Sequence, residues 1–152
     1  MTELKTDYKQ YKKDLYKQEL TKQQAAFDTL SKWDQIVVLS TRMAKEQDFP
    51  LSVLLSQAAL ESGRGTSYFC QTRNNCFGIN AVDANPNMAH GYQTLEQGIQ
   101  AYINLIKFNY TLAYNNRANP YTMIELIKAG GYASDPAYVK KVTARPEFTL
   151  YQ

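Results

Sequence analysis

The sequence predicts a mainly α-helical fold of five to six helices with one small irregular or β-hairpin lobe. Apolar residues recur at helical spacing through most of the 152 residues, and no alternating strand pattern stands out. The exception is residues 67–91, where Asn, Gly, Asp and Pro form the clusters typical of turns. Because loops of that length in a compact domain usually serve function, we expect this lobe to border a cleft.

Length and composition are those of one globular domain. Apolar residues make up 44% of the chain, and 17 basic against 14 acidic side chains leave a net charge of +3. So small an excess, without a basic stripe, argues against a nucleic-acid-binding protein. No run approaches the roughly 18 apolar residues of a membrane span, and the first residues lack the apolar core of a signal peptide.

Three helices are predicted in the first half of the chain. The first is amphipathic, with apolar positions at Leu4, Tyr8, Tyr11 and Leu15. The second runs from Phe27 to Glu46 and is closed by Pro50. The third begins at Leu51, repeats apolar residues at i, i+3, i+4, i+7 and i+8, and ends at Gly63.

The second half predicts three further helices from their start signals. Thr94 and Gln97 form a capping box ahead of an apolar stripe. Asn119-Pro120 starts the next helix, which Gly130-Gly131 stops. Asp135-Pro136 starts the last, which ends before Pro146.

Cysteine and histidine content limits the chemistry. Cys70 and Cys76 leave two alternatives: a disulfide that closes a short loop and fits an oxidising compartment, or two free, partly buried thiols. His90 is the sole histidine, and neither cysteine has the sequence neighbours of a metal ligand or nucleophile. We therefore expect no metal and no cofactor.

Glu61 is the candidate catalytic residue because of its place on the third helix. It follows Leu51 by ten positions, so at about 100° per residue it projects at the edge of the buried stripe, near Leu54. Apolar neighbours and the negative end of the helix dipole both disfavour the charged carboxylate, and a raised pKa suits a general acid. The alternative is a surface glutamate or a structural ion pair with Arg64 or Arg73.

Three motifs, in order, resemble the glucosaminidases of glycoside hydrolase family 73. They are LSQAALESGRGTS, which contains Glu61, then NNCFGI from Asn74 to Ile79, then GYASDPAYVKKV from Gly131 to Val142. The resemblance covers residues 34–145 and implies a lysozyme-like helical body with a small hairpin lobe beside a glycan groove. It also implies cleavage of the β-1,4 bond between N-acetylglucosamine and N-acetylmuramic acid in peptidoglycan. Residues 26–152 would form this catalytic domain, and residues 1–25 an N-terminal helical extension.

The resemblance also assigns roles to single residues. Glu61 matches the family's proton donor, and Tyr132 matches a tyrosine that points into the cleft near the reacting sugar. Asn75, Phe77 and Gly78 match the motif lining the groove, where an amide binds an N-acetyl group and an aromatic face stacks on a sugar.

The chain departs from the family in its hairpin lobe. Many relatives place a second glutamate there, shortly before an aromatic-Arg-x-Tyr segment. Here that segment reads Ala89-His90-Gly91-Tyr92, and no glutamate precedes it. Asp83 is the nearest acidic candidate for the second catalytic group, and Tyr92 is the candidate groove residue of this segment.

Three mechanisms therefore stay open. Asp83 activates water for inversion; or the substrate's own N-acetyl oxygen attacks while Tyr132 and Asn75 orient it; or Glu61 alone drives a lytic transglycosylase reaction. We favour hydrolysis by a substrate-assisted or single-acid site. The alternatives are a lytic transglycosylase or muramidase that uses the same Glu61, and a non-catalytic peptidoglycan-binding module.

The implied partner is the glycan strand of peptidoglycan. Such a substrate implies action in the periplasm or outside the cell, although this chain carries no export signal. The resemblance leaves open whether the chain belongs to a larger secreted, flagellar, phage or secretion-system assembly.

Overall fold

A computed structural model describes residues 2–79 and 91–152, with side chains from residue 6 onward. Within those ranges the secondary structure is helical, without strands. The chain divides into two compact units, Met1–Ser31 and Lys32–Gln152. The helices are α1 (Thr2–Asp28), α2 (Lys32–Glu46), α3 (Leu51–Ser62), α4 (Tyr68–Arg73), α5 (Leu95–Asn109), α6 (Thr111–Asn115), α7 (Pro120–Ala129), α8 (Tyr138–Thr143) and α9 (Pro146–Leu150).

The first unit holds α1, which confirms the predicted first helix. Its polar side chains bond one another one turn apart, as in the 2.9 Å hydrogen bond that Gln24 donates to Asp28. The prediction that a second helix begins at Phe27 is wrong, because Phe27 lies in the last turn of α1 and α2 begins at Lys32. That the first unit is an extension to a catalytic domain stays a prediction.

The second unit is built around α3, whose residues from Ser52 to Ala59 are all buried. Helices α2, α7, α8 and α9 pack against it. The sequence predicted one buried stripe, whereas neighbours cover α3 on several sides. Its small residues make this possible: the Ser56 and Ser62 hydroxyls turn back onto carbonyl oxygens one turn earlier, at 2.5 and 2.6 Å, and leave room for close packing.

Local start and stop signals predicted several helix ends correctly. The Thr94 hydroxyl accepts from the N–H of Gln97 at 3.1 Å, and the Gln97 side chain accepts from the N–H of Thr94 at 3.2 Å. Asn119 caps α7 through the N–H of Thr122. Gly63 ends α3 with a left-handed φ of 56°, a conformation that glycine adopts without a Cβ clash.

Short helices account for the difference from the predicted five or six. Helix α4 replaces part of the irregular lobe predicted over residues 67–91. Residues 80–90 lie outside the described ranges, so a hairpin there stays a prediction. Pro146 was expected to end a helix, but it occupies the first turn of α9, where its missing N–H costs nothing. Helix α8 begins at Tyr138 and not at Pro136, because the Asp135 side chain binds the N–H of Ala137 in a turn.

In the described part of the chain, no helix is both long and apolar enough to cross a membrane.

Candidate active site

Glu61 lies in the last turn of α3, where the chain turns sharply away. Three consecutive residues, Gly63, Arg64 and Gly65, have positive φ values of 56°, 53° and 81°. Arg64 does not pair with Glu61: its Nε lies 2.5 Å from Oε1 of Glu147 on α9. Glu61 thus keeps no cationic partner from the turn that follows it.

Burial controls the acidity of Glu61. The side chain is half-buried, and loss of hydration raises the pKa of its carboxyl group above the ordinary value. A hydrogen bond from the Tyr138 hydroxyl to Oε1, at 3.0 Å, acts in the opposite direction because it stabilises the charged form. Burial is the stronger effect, as the sequence predicted.

Tyr138 belongs to a chain of buried polar groups that ends at Glu61. The Tyr102 hydroxyl donates to Oε1 of Gln57, and Nε2 of Gln57 donates to the Tyr138 oxygen at 3.0 Å. Tyr102 and Gln57 are both fully buried. These groups come from α5, α3 and α8, so packing of three helices holds them in line.

The other carboxylate oxygen of Glu61 faces the turn after α4. A Cβ atom added to Gly78 would lie 3.5 Å from Oε2 of Glu61, and Gly78 has a φ of 66°. Glycine therefore gives the required backbone shape and leaves the Oε2 side uncrowded. Gly78 and Glu61, which were both predicted as site residues, therefore lie next to each other in the structure.

Phe77 and Asn75 lie beneath the cleft and not on its surface. The Phe77 ring is 2% exposed and stacks on Tyr102 with centroids 4.0 Å apart. The Asn75 amide is also 2% exposed and binds both the N–H and the C=O of Ile79, at 3.0 and 2.9 Å. Stacking of Phe77 on a sugar does not fit this burial. Both side chains instead brace the turn that presents Gly78.

A disulfide between Cys70 and Cys76 reinforces the same turn. Their Cα atoms are 4.3 Å apart, and both side chains are buried. Of the two alternatives left by the sequence, the structure adopts the bonded one. The bond ties α4 to the segment that leads into Phe77 and Gly78.

A cleft of about 1090 Å³ opens beside Glu61. Three other predicted site residues line it with Glu61, namely Gly78, Tyr92 and Tyr132. Tyr132 is held by its hydroxyl, which donates to the Phe77 carbonyl at 3.0 Å. Tyr92 is held by its backbone, whose N–H donates to the Arg73 carbonyl at 2.9 Å. Asp83, the candidate second carboxylate, lies outside the described residues.

Residues of α5, of the segment before α8 and of α8 itself also line the cleft. Phe108 in the last turn of α5 is 74% exposed and lines the cleft beside Asn109. The cleft is also lined by charged groups: Asp135 and Lys141 form an ion pair there, with 2.5 Å between Oδ2 and Nζ. The Lys141 hydrogen bond and the Ala137 N–H lower the pKa of Asp135, so Asp135 enters the cleft as a charged, paired carboxylate.

Sequence reasoning missed Gln57 and Tyr138 as site residues. Tyr138 lies within the third motif, but nothing in its local sequence marks it as a partner of Glu61. Gln57 carried a signal, because it is a polar residue about one helical turn before Glu61 in a helix that otherwise consists of apolar and small residues. Its partners lie 45 and 81 residues away, and no local pattern points to them. Within the described ranges, no three His, Cys, Asp or Glu side chains converge as a metal site would require.

One protein-family model matches residues 39–147, and its description is mannosyl-glycoprotein endo-β-N-acetylglucosaminidase. The matched span contains Glu61, Gly78, Tyr132 and Tyr138. No curated protein matches the chain in sequence.

Solved structures share the fold at low sequence identity. The catalytic domain of the autolysin Auto from Listeria monocytogenes is 18% identical, with a TM-score of 0.62 over 87% of this chain and 96% of that one. A mutant of a peptidoglycan hydrolase from Sphingomonas sp. A1 is 23% identical, with a TM-score of 0.59 over 79% and 96%. A C-terminally truncated glycoside hydrolase domain of FlgJ from Salmonella typhimurium is 19% identical, with a TM-score of 0.58 over 78% and 94%. These likenesses support a lysozyme-like, mainly α fold.

Proposed function

Since the chain belongs to the glucosaminidase family of glycoside hydrolases, we propose that it is an endo-β-N-acetylglucosaminidase of peptidoglycan with Glu61 as its general acid. The bond cleaved is the β-1,4 bond between N-acetylglucosamine and N-acetylmuramic acid. The observation that carries the proposal is a half-buried carboxylate of raised pKa on the wall of an open cleft.

Peptidoglycan is the proposed substrate because proteins of similar structure act on bacterial cell walls or glycans. Two of the similar structures are an autolysin and a peptidoglycan hydrolase, and a third is a glycoside hydrolase domain. The cleft volume of about 1090 Å³ lies at the upper end of the roughly 300–1,000 Å³ of ligand sites, and it is compatible with a segment of a glycan strand.

Glu61 acts by giving its proton to the glycosidic oxygen as the bond from that oxygen to C1 of N-acetylglucosamine breaks. The positive charge that develops on the sugar ring is then quenched at C1, and water supplies the new hydroxyl group. The second proton of that water restores the acid. Burial favours this cycle because it keeps Glu61 protonated at a pH where an exposed glutamate would be ionised.

The residues described around Glu61 favour a substrate-assisted reaction. The Tyr132 hydroxyl uses its proton on the Phe77 carbonyl, so its oxygen is available to accept the N–H of a substrate acetamido group. That contact would turn the acetamido carbonyl toward C1, where it can attack. Asp83 as an activator of water is the alternative proposal. Asp135 is a weaker candidate because Lys141 holds it in an ion pair.

Purified sacculi treated with the wild type and with Glu61→Gln test the proposal by mass spectrometry of the released fragments. The variant keeps the shape of the side chain but loses its transferable proton, so release should fall by about 10²–10⁴-fold. Glu125→Gln is the matched control, because Glu125 is exposed on α7 and does not line the cleft.

The fragment ends distinguish the candidate functions. Reducing N-acetylglucosamine ends support the glucosaminidase, whereas reducing muramic acid ends would indicate a muramidase and anhydro-muramic ends a lytic transglycosylase. A protein that sediments with sacculi but releases nothing would be a binding module, and the catalytic proposal would fail.

We further propose that the protein acts in the periplasm or outside the cell, where peptidoglycan lies. The disulfide between Cys70 and Cys76 fits an oxidising compartment of that kind. Glycan strands are the proposed partner, within a secreted, flagellar, phage or secretion-system assembly.

A further inference from the structure

The hydrogen-bond chain that ends at Glu61 has a direction. Tyr102 is fully buried, and among the described residues its hydroxyl proton has one acceptor, Oε1 of Gln57. A buried hydroxyl without an acceptor is costly, so the Gln57 amide must keep its oxygen toward Tyr102. The amide nitrogen then points at Tyr138 and can only donate to it.

This direction fixes the proton of Tyr138. Because the Tyr138 oxygen accepts from Gln57, its single proton is directed to Oε1 of Glu61, 3.0 Å away. Oε1 therefore accepts a hydrogen bond whether Glu61 is charged or neutral. A proton carried by Glu61 is left with Oε2, the oxygen beside Gly78, which lines the cleft.

We propose that Tyr102, Gln57 and Tyr138 are positioning residues that keep the transferable proton of Glu61 on Oε2, facing the glycan. The hydrogen-bond chain begins at Tyr102 in the core, passes through Gln57 and Tyr138, and ends at Glu61 beside the substrate. If the Gln57 amide were flipped, the Tyr138 hydroxyl would donate to the Gln57 oxygen. A protonated Glu61 would then carry its proton on Oε1 and donate it to the Tyr138 oxygen, away from the substrate. The proposal deepens the general-acid function proposed above and rests on it for its catalytic consequences.

Other ionisable groups near Glu61 are engaged with partners of their own and do not determine which oxygen of Glu61 carries the proton. Tyr132, from the loop before α8, gives its hydroxyl to Phe77. The cleft pair Asp135 and Lys141 neutralise each other at 2.5 Å, and the Arg64 guanidinium on the α9 side is taken by Glu147. Asp83 lies outside the described residues.

Two deletions of a single oxygen atom test the chain. Tyr138→Phe removes the hydroxyl that donates to Oε1 of Glu61. Tyr102→Phe removes the hydroxyl that donates to Gln57 and not to Glu61. The pKa of Glu61 is read in the free protein by NMR titration of its labelled side-chain carboxyl carbon. The pH profile of kcat/KM on sacculi gives a second readout.

Loss of a hydrogen bond to the charged form should raise the pKa of Glu61 by about one pH unit in Tyr138→Phe. Tyr102→Phe should raise it by less, because it lets the Gln57 amide turn over and allows a neutral Glu61 to donate inward. In the double variant, Tyr102→Phe should add nothing, since it acts only through the Tyr138 hydroxyl. The basic limb of the pH profile should move with the pKa, and kcat should fall more than KM changes.

Tyr114→Phe is the matched control for loss of a tyrosine hydroxyl bond. The Tyr114 hydroxyl donates to the Asp48 carbonyl at 3.0 Å and has no part in the chain to Glu61, so the pKa of Glu61 should stay unchanged. The proposal is overturned if Tyr102→Phe leaves that pKa unmoved, or moves it equally with and without the Tyr138 hydroxyl. The NMR titration needs no turnover, so it tests the hydrogen-bond chain separately from activity. If the pKa of Glu61 shifts as expected but sacculi are not cleaved, the proposed function fails and the hydrogen-bond chain does not.

Discussion

Arg64 and Glu147 form an ion pair that joins the turn after the Glu61 helix to α9, with 2.5 Å between Nε and Oε1. The Glu147 side chain is buried, and Nε of Arg145 lies 3.9 Å from its other carboxylate oxygen. Arg64 sits at a φ of 53°, which residues with a Cβ adopt reluctantly. The pair therefore holds a strained turn in place immediately beyond the catalytic candidate.

Glu147→Gln should destabilise the protein in a pH-dependent way. Burial opposes ionisation of Glu147, but the Arg64 hydrogen bond and the charges of Arg64 and Arg145 hold its pKa below the ordinary value. A lowered pKa in the folded state contributes stability above the unfolded pKa, and that stability is lost as pH falls through the folded one. We expect a loss of about 1–2 kcal/mol at pH 7 that shrinks toward pH 3, measured by urea unfolding. Glu96→Gln, in an ion pair whose side chains are about half exposed, should change little.

Gly98→Ala should unfold or strongly destabilise the second unit. A Cβ atom at this position would lie 2.0 Å from the backbone oxygen of Asn74, so α5 could not approach the turn after α4. We expect a cost of at least about 3 kcal/mol, seen as a lower melting temperature, because a backbone atom must move. Gly91→Ala is the control: its nearest contact would be 3.8 Å, in the side chain of Arg73. Equal melting temperatures for the two variants would contradict this packing.

Reduction of the Cys70–Cys76 bond should lower stability by about 2 kcal/mol, the chain-entropy value for so short a loop. The same loss is expected for a Cys70→Ser, Cys76→Ser double variant, whose melting temperature should no longer respond to dithiothreitol. Because the bond braces the turn that carries Gly78, kcat on sacculi should also fall. A reduced wild type with unchanged melting temperature would show that the bond contributes nothing to the fold.

Phe108→Ala should weaken glycan binding and spare the chemical step. An aromatic ring exposed on the wall of a cleft offers an apolar face to a sugar, and Phe108 is such a ring in the last turn of α5. We expect KM for soluble glycan chains to rise about tenfold with kcat nearly unchanged. Leu112→Ala removes an apolar side chain of similar exposure that does not line this cleft, and it should leave KM unaltered. Parallel loss of kcat in Phe108→Ala would argue against a platform role.

Helix ends encoded by adjacent residues were predictable from the sequence. Thr94 with Gln97, Asn119 and Gly63 act on backbone groups within four positions, so the pattern alone identifies them. The half-buried position of Glu61 was predictable as well, since it follows from helical periodicity. The short helices α4, α6 and α9 were not, because helices of five or six residues depend on packing for their stability.

Contacts between distant residues set the remaining features of the site. The family resemblance implied that Phe77 and Asn75 line the groove, yet Tyr102 covers the Phe77 ring and Ile79 occupies the Asn75 amide. No local pattern singles out Tyr138, yet its hydroxyl reaches Glu61, which lies 77 positions earlier. Which polar groups meet across such separations depends on how helices cross, and hydrophobic spacing does not encode it.

Helix α9 sets a practical limit for anyone who shortens this gene. The family match ends at residue 147, in the second position of α9, whereas the helix continues to Leu150 and Tyr151 packs against the core. An expression fragment cut at the family boundary would retain the Glu147 codon and discard the turn of helix that presents its carboxylate to Arg64. Cloning boundaries and fusion junctions for this enzyme therefore belong after Tyr151.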